Sequence, residues 1–64
     1  MTYVVKEKGQ LPVTCQSENE ARRLIGQRFR SQYWTLAESY EVYNWRVVKK
    51  STGQWVVWTE HVDL

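Results

Sequence analysis

The hydrophobic pattern of this 64-residue chain changes period twice. Thr2-Tyr3-Val4-Val5-Lys6-Glu7 is rich in β-branched and aromatic residues and predicts a strand; Lys8-Gly9-Gln10 follows as a turn. Leu11-Pro12-Val13-Thr14-Cys15 then reads as a short second strand. Pro12 has no amide hydrogen for a ladder, which assigns that strand to a sheet edge. From Ser17 the period becomes helical. Ser17-Glu18-Asn19-Glu20 has the spacing of a capping box, with the Ser17 hydroxyl on the Glu20 amide and the Glu20 carboxylate reaching back. Behind it Ala21, Leu24, Ile25, Phe29 and Tyr33 form one apolar stripe, and the helix fades between Arg30 and Trp34 without a Gly or Pro to stop it.

Residues 40–50 and 54–62 return to strand character, joined by Ser51-Thr52-Gly53, and predict one long antiparallel hairpin. Two registers are compatible with the break. A type I turn with Gly53 as a left-handed bulge pairs Lys50 with Gln54. Trp45, Val47, Trp55 and Val57 then share one face, and Val42, Arg46, Val48, Val56 and Trp58 the other. A two-residue Thr52-Gly53 loop instead groups Trp45, Val47, Val56 and Trp58, with Trp55, Arg46 and His61 opposite. The position of Gly53 favours the bulged turn. One slip exchanges a strand's faces, so register decides which tryptophans the helix covers. The order strand, strand, helix, strand, strand predicts a single α+β domain over residues 1–64, with an antiparallel sheet of about four strands and one helix across one face.

A domain this small has a thin margin of stability, about 3–5 kcal/mol from one core. Nine aromatic residues, 14% of the chain, enlarge that core or supply a recognition surface. The net charge of +2 is weakly basic and does not by itself indicate a duplex-binding protein. Cys15, the only cysteine, excludes an internal disulfide and a cysteine zinc cluster, and fits a small buried hydrophobe in a reducing cytosol. The N-terminal residues do not read as a signal peptide, and no apolar run approaches a membrane span; the expected location is the cytoplasm. No nucleophile, zinc or phosphate-loop motif is present, and His61 reads as an ordinary strand residue, so a non-enzymatic role without cofactor or metal is expected.

Two surfaces are candidates for partner binding. On the helix, Arg22, Arg23 and Arg30 project away from the apolar stripe around Gly26, which costs about 0.8–1 kcal/mol relative to Ala in a helix interior. That arrangement lets another backbone approach while guanidiniums grip phosphate or carboxylate groups. On the uncovered sheet face, Arg46, Lys49 or Lys50 would combine with Trp55 or Trp58 and with Tyr40 or Tyr43. Such a surface can stack bases, seat a protein or close a two-fold homodimer.

The opening Tyr3-Val4-Val5-Lys6-Glu7 strand, the capped Ser17-Glu18-Asn19-Glu20-Ala21-Arg22-Arg23 helix start and the Gly-turned, Trp-bearing closing hairpin resemble small phage and mobile-element inhibitors of anti-CRISPR type. One such family acts on type I-F surveillance complexes. The resemblance implies a non-catalytic inhibitor that occludes a nucleic-acid-binding surface of a host protein or ribonucleoprotein complex, with Arg22, Arg23 and Arg30 as contacts by their position on the helix. The alternatives are direct single-stranded nucleic-acid binding by the aromatic sheet face, and a self-associating structural protein.

Overall fold

A computed structural model describes residues 2–62. Its strands are β1 (Thr2–Glu7), β2 (Val13–Cys15), β3 (Tyr40–Tyr43), β4 (Arg46–Lys49) and β5 (Gln54–Val62), with helix α1 (Glu18–Arg28) between β2 and β3. All neighbours pair antiparallel in the order β2-β1-β5-β4-β3. The fold is α+β, a five-stranded open sheet with α1 on one face. The Pro12-bearing segment leads into an edge strand, as its missing amide hydrogen requires.

The extra strand arises inside the stretch that reads as one run over residues 40–50. Asn44 and Trp45 take φ of 52° and 61°, so a two-residue turn of the primed type reverses the chain and pairs Tyr43 with Arg46. Asn tolerates this left-handed conformation; a bulky side chain such as Trp adopts it only rarely. Gly53 has the expected positive φ of 73°, but the loop is one residue longer than the bulged turn and two longer than the Thr52-Gly53 loop: Lys49, not Lys50, pairs with Gln54. A bulge at Val56 then restores the Val47–Val57 pair. Val47 and Val57 accordingly share the helix-side face as expected. Trp55 moves to the opposite face beside Val48, and Trp45 leaves the strands for the turn.

The helix starts as its cap dictates. The Ser17 hydroxyl accepts from the Glu20 amide at 3.1 Å, while the Glu20 carboxylate reaches back one residue further than a standard box and accepts from the Gln16 amide at 3.0 Å. Ala21 and Ile25 are buried against Val5, Cys15, Val47 and Val57, with Leu24, Phe29 and Tyr33 packed at the margin. Instead of fraying, the helix passes into a π-turn over Phe29–Tyr33 and a 3₁₀ turn over Trp34–Leu36.

The π-turn positions a polar cluster inside this core. Glu7 points to the helix side with its side chain only 2% exposed, and accepts from the Arg28 guanidinium at 2.5 Å and the Tyr33 hydroxyl at 3.0 Å. In an α-helix, residues five apart stand about 140° apart around the axis. A π-turn, which bonds i to i+5, brings them toward one side, so both donors reach one carboxylate. Burial, followed by the hydrogen bond to Glu7, pushes the Tyr33 phenol up to about 12.

Candidate functional site

The outer flank of α1 and the β3–β4 turn enclose an open groove of about 630 Å³. Helical spacing places Asn19, Arg22, Arg23, Gly26 and Arg30 along one wall, and Trp45 forms the facing rim. The guanidinium carbon of Arg22 lies 4.7 Å from the centroid of the Trp45 ring, and the same guanidinium donates to Glu18 at 2.5 Å. Its Nε is sealed from solvent without a hydrogen-bond partner. Neither Arg23 nor Arg30 has an ion-pair partner among the described residues. A methyl group on Gly26 would meet only the Arg30 guanidinium, at 3.5 Å, so the groove floor is open there. Two free cations, a third held against an aromatic ring and a gap at Gly26 suit a multivalent anion or an acidic surface. Trp45 also borders an adjoining depression of about 270 Å³, where Tyr3 stacks on His61 at 4.8 Å.

The second candidate surface is divided by the observed register. Arg46 and Trp55 come together on the open sheet face, guanidinium carbon over ring at 4.1 Å. By alternation from Val57, Trp58 lies on the same face and pairs with Lys6. Lys49 and Tyr40 do not join them: they pair with each other and alternate to the side of Val47, where Tyr40 packs against Tyr33. Tyr43, opposite Arg46, is the tyrosine of the open face. Lys50 belongs to the β4–β5 loop, its amide donating to the Ser39 carbonyl at 2.9 Å. Lys6 donates to Glu60 at 2.6 Å and holds that carboxyl below its ordinary range. Glu60 and Glu41 equal Lys6 and Arg46 in number on this face, although only Lys6 and Glu60 form an ion pair among the described residues, so the face has no cationic excess.

Cys15 is buried in the core, and burial, then the nearby Glu20 charge, pushes its thiol up. This is the opposite of what activates a nucleophile. Among the described residues no three His, Cys, Asp or Glu side chains gather as a metal site, and no helix is long and apolar enough to cross a membrane. Trp45 was absent from the residues that sequence reasoning selected, because its importance depends on the chain reversal. Asn44 was the one local signal for that turn. Comparison with protein-family models, curated proteins and solved structures found no match.

Proposed function

We propose that this protein is a non-enzymatic binding module that docks the arginine-lined flank of α1 onto an anionic surface of a nucleic-acid-handling complex and acts by occlusion. The observation that carries this reading is Trp45. A bulky residue held at φ 61°, in a turn that glycine would occupy without strain, is kept at a cost to stability. Its ring rims the groove and meets Arg22. Strain that benefits a surface more than the core supports a binding role. The likeness to small phage and mobile-element inhibitors extends the reading to an anti-CRISPR-like inhibitor of a host complex in the cytoplasm.

The test is affinity capture from host lysate with and without nuclease, using wild type, Trp45→Gly and the Arg23→Ala/Arg30→Ala pair. A protein complex retained by wild type after nuclease treatment, and lost by both variants while their melting temperatures hold, is the expected outcome. Undiminished capture by the variants refutes the groove. Direct single-stranded nucleic-acid binding on the sheet face has weaker support, because Arg46 already covers the Trp55 ring and the surrounding charges balance. Nuclease-sensitive recovery with a steep salt dependence would favour it.

A further inference from the structure

The two edges of the sheet differ. The β2 edge follows Pro12, which discourages further pairing, while both edge strands are short, three residues in β2 and four in β3. The β3 edge has neither proline nor bulge, and among the described residues nothing pairs with its outer side. Ladder geometry specifies which groups are free there. Tyr43 and Arg46 flank a two-residue turn and form its hydrogen-bonded pair, so the amides and carbonyls of Tyr43 and Glu41 serve β4. Those of Tyr40 and Val42 point outward.

We infer that β3 is a self-association edge, through which a second copy of this chain pairs antiparallel about a two-fold axis at Val42 and continues the sheet to ten strands. Three observations select a second copy as the occupant. First, the register is self-complementary: Val42 meets Val42, so the outward amide and carbonyl of Val42 bond to those of the second copy, Tyr40 falls opposite the turn residue Asn44 and adds no ladder bond, and helix-side residues stay on the helix side. Second, that register keeps like charges apart. Glu41, which has no ion-pair partner among the described residues, faces Tyr43 of the second copy, whose phenol can donate to it. Third, apolar area stands exposed beside this edge. Val42, Tyr43 and Trp45 remain 42%, 67% and 50% exposed, and Trp34 and Leu36 stand exposed in the segment leading into β3. Aromatic side chains bury about 150–250 Å² each, so these residues contribute several hundred of the roughly 800 Å² that each partner brings to a standard interface. The two-fold axis sets both copies of α1, and both arginine grooves, on one side of the joined sheet. The inference rests on the β3 edge and not on what the grooves bind, although Trp45 borders both surfaces.

The experiment is analytical ultracentrifugation of the full chain from micromolar to millimolar concentration, beside Val42→Lys and Val42→Pro. Proline at 42 removes an outward amide without breaking the β4 ladder, and lysine places charge on the edge while leaving the backbone intact. Wild type is expected to shift with concentration to twice the 7.7 kDa chain mass. Both variants are expected to weaken dimerisation at least tenfold with unchanged circular dichroism. If Val42→Pro fails to fold, Val42→Lys decides. A wild type that stays monomeric throughout, or a Val42→Lys dimer of undiminished affinity, overturns the proposal; the first outcome would leave the edge to a foreign extended segment.

Discussion

Replacing Tyr33 with Phe tests whether the Glu7 cluster stabilises the fold as its geometry implies. The substitution removes one donor to a buried carboxylate and retains the other from Arg28. A hydrogen bond to a charged group contributes about 1.5–3 kcal/mol, so neutral-pH stability should fall within that range. The same contact makes a second, signed prediction. The folded phenol titrates near 12 against an ordinary value of 10.0, so folding favours its neutral form. That contribution is fully present below about pH 10 and is lost as pH rises toward and through 12. The displacement corresponds to about 2.7 kcal/mol at most, and contact of Tyr33 with water reduces it to about 1–2 kcal/mol. Urea denaturation of wild type and Tyr33→Phe at intervals from pH 7 to pH 12 measures the difference. Other groups titrate in both proteins and cancel, so the gap should narrow above pH 10 by about 1–2 kcal/mol. Parallel curves across the alkaline range would refute the role assigned to the hydroxyl.

Arg28→Met should be far more damaging, because it leaves a carboxylate that is 2% exposed with one neutral donor. Breaking a buried pair this way costs about 3–5 kcal/mol, the whole margin of a domain of this size, and the expected result is loss of a cooperative thermal transition. Gly26→Ala should do the reverse. The added methyl meets only ordinary contact distance, so stability rises by about 0.8–1 kcal/mol, which calorimetry would register as roughly 4–8 °C in Tm. If the groove uses Gly26 for close approach, captured partner decreases in the same variant.

How far the fold was legible depended on whether a signal was local. Ser17 and Glu20 announced the helix start because a cap is chemistry among neighbours. Gly53 announced its own conformation for the same reason, and Pro12 its edge. The β3–β4 reversal was hidden because Asn44 is followed by Trp, where the usual turn has Gly. Its break therefore read as one more strand residue. The Val56 bulge has no sequence mark at all, and it relocated Trp55. The Glu7 cluster had two faint signs: Arg28 stands among the apolar stripe positions, and Glu7 alternates with Tyr3 and Val5 toward the core. Neither could be paired until the π-turn brought distant residues together. On the candidate groove, Arg22, Arg23, Gly26 and Arg30 were readable from helical spacing, whereas the facing rim required the tertiary fold.

The π-turn at Phe29–Tyr33 also sets how this chain tolerates changes in length. A π-turn amounts to one residue more than regular winding would use. Deleting Ser31 or Gln32, both exposed, would improve local winding yet carry the Tyr33 hydroxyl around the axis and away from Glu7. Loop insertions elsewhere cost little, since closure entropy grows slowly with length. Here the count of residues is itself the specification, and homologues that keep Glu7, Arg28 and Tyr33 should keep the arginine and the tyrosine five residues apart.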